Sequence, residues 1–178
     1  MDLVEEAKRG NEQAFCQLVD ENKLKMYKVA KSILKNEDDV CDAIQNALMS
    51  AYTNLSKLQN NQYFSTWITR ILINKCYDIT KDNQKRYNNV IDINEYNTDE
   101  GVRSYDTYNS DSLVENVLCK LDDELKTITV LYYYNDYSVS EISRIVDIPE
   151  GTVKSRLSRA RSQIYDIVKR EEEIVWTI

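Results

Sequence analysis

Residues 138–161 contain the pattern that most narrows the possible folds: two short helical stretches separated by a break with the chain's one proline. Ser138 and Glu141 match the Ser-x-x-Glu capping box that begins many helices. Apolar residues then recur at helical spacing up to a break at 147–151. Pro149, which has no N–H and a fixed φ, suits the start of a second helix. The segment is therefore predicted to form a helix-turn-helix.

The second of these predicted helices carries a polar face that lacks acidic residues, although the whole chain has a net charge of −7. Small serines let a helix approach the major groove closely, while long cations reach phosphates and base edges. This face predicts DNA binding, and the alternative is an ordinary solvated surface. The predicted contacts are Lys154, Ser155, Arg156, Ser158, Arg159 and Arg161.

Composition favours an all-α fold and argues against an enzyme. Three glycines and one proline in 178 residues leave little for a β-rich fold or a phosphate-binding loop. The absence of histidine excludes imidazole catalysis, and four widely spaced cysteines predict neither a disulfide framework nor a zinc site. No membrane-spanning stretch or leader is seen. We expect a cytoplasmic protein with no catalytic residue, metal, cofactor or small-molecule substrate.

The distribution of charge predicts that the chain does not hold DNA unaided. Proteins that bind DNA alone usually have a basic surface, because counterion release supplies much of the affinity. Here the cations are concentrated at residues 70–86 and 154–161, and most of the acids lie elsewhere. A partner that presents the chain to DNA is therefore expected.

Helical patterns fall into two halves, residues 1–87 and 113–178, separated by a polar segment at 88–112. This segment has six acidic residues against one cation and too few apolar residues to form a core. It is predicted to be a flexible acidic linker between two small helical domains. A simple tether and an acidic strand that occupies a nucleic-acid channel remain equally open.

A helix predicted at residues 36–52 has a polar stripe opposite its apolar positions. An exposed methionine within a partly acidic stripe indicates a protein-binding surface, whereas the alternative is a solvated face. The stripe consists of Asp38, Asp42, Gln45 and Met49.

A further helix, predicted from about residue 64 to residue 81, combines cations, an amide and aromatic rings along one stripe. This combination suits single-stranded DNA, because unstacked bases stack on rings while cations contact phosphates. The tryptophan lies at the edge of the stripe, where a core role is the more frequent one. The candidates are Trp67, Arg70, Asn74, Tyr77 and Lys81.

Three stretches together resemble the extracytoplasmic-function class of bacterial RNA polymerase sigma factors. They are residues 36–52 (NEDDVCDAIQNALMSAY), 64–78 (FSTWITRILINKCYD) and 151–161 (GTVKSRLSRAR). The resemblance implies sigma region 2 in residues 1–87 and sigma region 4 in residues 113–178. It also implies binding to the polymerase core and to promoter DNA. An anti-sigma factor is a further implied partner, through which any link to a membrane would be indirect.

The resemblance assigns roles to individual residues. Four positions match those with which the family contacts the −35 element: Lys154, Ser155, Ser158 and Arg159. Asn74 and the loop before residue 64 match the family's residues that capture a flipped base of the −10 element. This loop consists of Leu58, Gln59, Asn60, Asn61 and Gln62. Asp42 and Gln45 fall where the family contacts the polymerase clamp.

Two other interpretations of the sequence remain. A stand-alone transcriptional regulator could use the same helix-turn-helix, typically as a dimer on paired half-sites. A helical adaptor that binds only proteins would use neither cationic surface. The first interpretation gives no role to the stripes on residues 36–52 and 64–81.

Overall fold

The computed structural model describes residues 2–91 and 113–175, and every regular element in these ranges is helical, as predicted. Eight α-helices are present there: α1 (Leu3–Lys8), α2 (Glu12–Ile33), α3 (Glu37–Asn54), α4 (Phe64–Ile91), α5 (Leu113–Cys119), α6 (Asp123–Thr129), α7 (Val139–Val146) and α8 (Glu150–Val175). Within the same ranges, no helix is both long enough and apolar enough to cross a membrane.

The predicted linker at 88–112 is described only at its first four residues, and these continue α4. Helix α4 therefore extends ten residues beyond the end at residue 81 that the sequence pattern predicts. Apolar spacing is lost there, but no proline or glycine interrupts the chain before residue 101. The six linker acids all lie outside the described residues.

Side-chain caps begin α2 and α7, the second at the predicted capping box. The Asn11 side chain accepts a hydrogen bond from the Ala14 amide at 3.2 Å and caps α2. The capping box of α7 is complete, because Ser138 and Glu141 each bond the backbone amide of the other. A hydrogen bond from Ser138 lowers the pKa of Glu141 below its usual range, so the cap remains ionised at neutral pH. Such caps stabilise a helix by about 1 kcal/mol.

The helix-turn-helix prediction is confirmed by the geometry between α7 and α8. Helix α7 ends at Asp147, which adopts a left-handed conformation with φ of 57°. The Pro149 carbonyl then accepts hydrogen bonds from the Thr152 and Val153 amides, at 2.9 and 3.1 Å, and begins α8. The turn fixes the direction in which α8 leaves the domain.

Helices α1 to α4 form the first half around an apolar core. Val29, Val40, Ile68 and Leu72 are fully buried in it, and each side chain of this kind contributes roughly 1.5–3 kcal/mol on burial. Helix α1 packs on α2 after the turn at Gly10, whose φ of 92° favours glycine. This packing leaves one stripe of α3 and the loop before α4 at the surface.

The two halves also pack against each other, which the sequence pattern did not predict. The buried core continues from the first half into residues of α6, α7 and α8. At the junction, the buried Tyr137 places its hydroxyl 2.8 Å from the hydroxyls of both Ser65 and Thr69. Nearby, the buried Asn135 donates to the Lys25 carbonyl of α2 at 3.2 Å. The described residues thus form one packed unit.

The reactivity of the Cys76 thiol tests whether the core of the first half is packed as described. It is fully buried, and burial raises the pKa of its thiol to about 12, whereas Cys16, Cys41 and Cys119 are exposed. Because the thiolate is the reactive form, we expect alkylation at pH 8 to modify three cysteines of the native chain quickly and the fourth only in denaturant. Intact-mass spectrometry over time measures this. Four modifications at one common rate would contradict the packing of α4.

Candidate nucleic-acid and protein interfaces

Helix α8 presents the predicted DNA-binding face to solvent. Val153, Leu157 and Ala160 are buried on its inner side, which turns the opposite side outward. Five of the six predicted contacts are exposed on that side: Lys154, Ser155, Ser158, Arg159 and Arg161. No acidic side chain interrupts this face between residues 151 and 165. The surface is therefore suited to the phosphates and base edges of a major groove.

Arg156, the sixth predicted contact, lies at the edge of this face and is engaged within the protein. Its guanidinium forms an ion pair with Glu124 of α6 at 2.7 Å, and only 26% of its side chain is exposed. At 100° per residue, Arg156 projects about 40° from the buried Ala160 and about 60° from the exposed Arg159, at the border between the buried stripe and the exposed face. The structure thus places it where it braces α8 on α6, a role that the run of cations alone does not distinguish from DNA binding.

The polar stripe of α4 opens into a cleft of about 370 Å³ between the two halves. Arg70, Asn74 and Tyr77 line it from α4, and Glu124 and Asp147 line it from the second half. Asn74 is exposed there. The cleft therefore brings together three of the five residues that the sequence assigned to single-stranded DNA.

Arg70 and Tyr77 are engaged by the second half. Arg70 forms an ion pair with Asp147 at 3.2 Å and donates to the Arg144 carbonyl at 3.3 Å. Burial raises the pKa of the Tyr77 hydroxyl, and a hydrogen bond with Thr127 offsets part of that effect. Two of the three stripe residues in the cleft are thus partly covered.

The other two candidates on α4 lie outside the cleft. Trp67 is half-buried beside the core, and its ring centroid lies 6.1 Å from that of Phe64. Lys81 is exposed about one turn beyond Tyr77. The placement of Trp67 agrees with the more frequent core role, while Lys81 extends the cationic end of the stripe.

The loop at residues 58–62 follows the 3₁₀ turn at Leu55–Lys57, and its last two residues begin the 3₁₀ turn at Asn61–Tyr63. Leu58 is buried and Asn61 is half-buried, whereas Gln59, Asn60 and Gln62 are exposed. The Asn60 side chain accepts from the Gln62 amide at 3.0 Å, which shapes the tip of the loop. Three amide-bearing side chains are thereby presented outward.

Helix α3 presents its predicted stripe as a continuous exposed surface. All four members are exposed, namely Asp38, Asp42, Gln45 and Met49. Met49 has 72% of its surface in solvent, a large exposure for a flexible apolar side chain. Acidic, amide and apolar groups in one stripe are typical of a surface that binds a protein with cationic and apolar complements.

Sequence reasoning missed the residues that join the two halves. Arg144 of α7 lies over the Tyr63 ring at 4.6 Å, and Lys25 of α2 lies over the Tyr137 ring at 5.2 Å. Each is an ordinary surface cation in the sequence pattern. One signal is visible in retrospect: Tyr137 falls between two helices, where an aromatic residue needs a partner to become buried.

Both halves match known sequence families. Residues 18–86 match the family "Sigma-70 region 2", and residues 112–164 match the family "Sigma-70, region 4". The ECF RNA polymerase sigma factor SigW of Bacillus subtilis is 30% identical over 175 residues, covering 90% of this chain and 92% of SigW. The ECF RNA polymerase sigma-E factor of Escherichia coli K12 is 29% identical over 173 residues, covering 91% and 90%.

Solved structures show the same fold. CnrH, solved in complex with the cytosolic domain of CnrY, superposes with a TM-score of 0.70 at 23% identity, over 94% of this chain and 96% of CnrH. The sigma factor RpoE of Bartonella quintana, solved with the anti-sigma factor NepR, gives 0.71 at 20% identity, over 87% and 96%.

Matches over both halves favour the sigma-factor interpretation over a stand-alone regulator, which needs only the second half. A helical adaptor leaves the exposed cationic face of α8 without a role. The chain therefore belongs to the ECF family of RNA polymerase sigma factors.

Proposed function

We propose that this chain binds core RNA polymerase through the α3 stripe and directs it to promoters through two DNA-reading surfaces. The exposed face of α8 contacts the −35 element, and the α4 stripe with the loop at 58–62 opens and reads the −10 element. Residues 1–87 and 113–178 are the two functional halves. The observation that supports this most strongly is that all three surfaces are present on one chain of this family.

The chain contributes recognition rather than chemistry in this proposal. The families that it matches are sigma factors, and neither matched region is a catalytic domain. Bond formation belongs to the polymerase, which is cytoplasmic in bacteria, and we place the chain in the cytoplasm with it. A net charge of −7 with local cations fits a protein that reaches DNA only within a larger complex.

The packed arrangement of the two halves must open before both promoter elements can be read. The −10 and −35 elements lie roughly 25 base pairs apart, on the order of 85 Å at 3.4 Å per base pair. Yet Arg70 of the −10 stripe lies 3.2 Å from Asp147, at the turn before α8. Helix α8 itself is only about 39 Å long, from its 26 residues at 1.5 Å each. Separation of the halves is thus part of the proposed mechanism.

An anti-sigma factor would act on this equilibrium. CnrH and RpoE were each solved with a bound partner, and their likeness to this chain extends over most of its length. A partner that binds the packed form more tightly than the open form shifts the population toward it. Any link of this chain to a membrane would run through such a partner.

Run-off transcription with purified core polymerase tests the proposal. Reactions with and without the chain use fragments of the source genome, and the expected result is a set of discrete start sites that require the chain. Duplex binding without polymerase and without any dependent start site would instead support a stand-alone regulator.

A further inference from the structure

The loop at residues 58–62 is attached to the first helix of the chain by one lysine. The Lys8 ammonium, at the end of α1, donates to the Leu58 carbonyl and to the Asn61 side-chain oxygen, each at 2.6 Å. The first acceptor lies at the start of the loop and the second near its end. A single charged group thus spans the loop, with hydrogen bonds of the strong, charge-assisted kind.

Asn61 is fully engaged in this attachment. Its side-chain oxygen accepts from Lys8, and its side-chain nitrogen donates to the Asp2 carboxylate. The other oxygen of that carboxylate accepts from the Val4 amide and caps α1. Both polar ends of Asn61 therefore face α1, which leaves the exposed side chains of Gln59, Asn60 and Gln62 to face a ligand.

Helix α1 is a firm support for these contacts. Val4 and Ala7 are buried, and they hold the short helix on α2 and beside the turn at Leu55–Lys57. The loop itself has one buried anchor, Leu58. The match to sigma region 2 begins only at residue 18, so it assigns nothing to α1.

We infer that Lys8 is a positioning residue for recognition of the −10 element, and that Asn61 anchors the loop rather than reading a base. This inference rests on the proposed function of the loop. Lys8 holds both ends of the loop on α1, so that the outward amides meet an unstacked base in a fixed geometry. A base-reading contact loses much of its selectivity when its support is loose, because small displacements spoil hydrogen bonds.

The test compares Lys8→Met with Arg9→Met. Methionine keeps an unbranched stem and removes the donors of Lys8. Arg9 is the matched control, because it is the next residue and carries the same charge, but among the described residues it pairs with Glu5 of its own helix alone, at 3.4 Å. Hydrogen exchange of amides 58–62 is measured in the free chains. Faster exchange in Lys8→Met alone supports the inference, and equal exchange in both variants overturns it.

The functional readout is selectivity among four promoters that differ only in the flipped −10 base. We expect Lys8→Met to reduce the preference for the best base about tenfold, with affinity for core polymerase unchanged. Unchanged selectivity in Lys8→Met would overturn the inference. An equal loss of core affinity and selectivity would also overturn it, as a general structural effect. If the unsubstituted chain shows no base preference there, the proposed function of the loop fails, whatever Lys8 does.

Hydrogen exchange of the loop separates an anchor from a reader. If Asn61 attaches the loop, Asn61→Ala should lower selectivity and also speed the exchange of amides 58–62, because the contacts of its side chain with Lys8 and Asp2 are both lost. Lower selectivity with unchanged exchange would show that Asn61 contacts the base itself and would overturn its assignment as the anchor.

Discussion

A cross-link between the two halves is expected to abolish promoter-dependent transcription while sparing the binding of core polymerase. Lys28 of α2 and Tyr134 of the second half suit this purpose. The Lys28 ammonium lies 5.8 Å from the Tyr134 ring, and both side chains are exposed and outside every proposed binding surface. In Lys28→Cys/Tyr134→Cys, a short reducible bis-maleimide would hold the packed form. Because that form cannot span both promoter elements, run-off product should fall by about a hundredfold or more.

The matched controls for the cross-link are built into the same chain. Cys16, Cys41 and Cys119 are first replaced by serine, while the buried Cys76 is left in place. Each variant that carries one of the two introduced cysteines should transcribe normally after treatment with the reagent. Reduction of the spacer should restore transcription by the variant that carries both. Full activity of the cross-linked chain would show that the halves need not separate.

Arg159→Ala is expected to weaken recognition of the −35 element by about 1–3 kcal/mol, roughly 5- to 150-fold. Arg159 is exposed at the centre of the cationic face of α8, where a guanidinium can bond a guanine edge with two parallel hydrogen bonds. The measurement is competition of holoenzyme between the matched promoter and one with a scrambled −35 element. If Arg159 contacts a base, the preference of the holoenzyme for the matched promoter over the scrambled one should fall in Arg159→Ala.

Lys169→Ala is the control for the loss of charge. Lys169 is also an exposed cation on α8, ten residues further along and beyond the proposed contact face. This variant should leave the preference unchanged. If Arg159→Ala weakens binding to both promoters equally, the residue contacts phosphate and the base-reading assignment is wrong.

Local signals carried most of what the sequence could predict about the fold. The Asn11 cap and the Ser138/Glu141 capping box depend on side chains that bond backbone amides within three residues. Such caps can therefore be predicted from the sequence alone. Helical spacing likewise identified the exposed stripe of α3 and the outward face of α8. In each case the buried side is defined by the period alone.

Contacts between distant residues could not be read in this way. Arg156 and Arg159 look equivalent in the sequence, yet one is paired with Glu124 and the other is exposed. Likewise, helical period shows that a face is apolar but not which partner covers it. The packing of Tyr137 against Ser65 and Thr69 joins residues some seventy positions apart, so no local pattern records it.

Asn135 gives the junction between the halves a built-in tendency to release. Its side-chain nitrogen bonds the Lys25 carbonyl, but its buried side-chain oxygen has no hydrogen-bond partner among the described residues. A stranded acceptor of this kind costs roughly 1–3 kcal/mol, and hydration recovers that energy once the halves part. Tight packing around Tyr137 therefore keeps the junction closed, while the unpaired oxygen of Asn135 lowers the free energy that a partner must supply to open it.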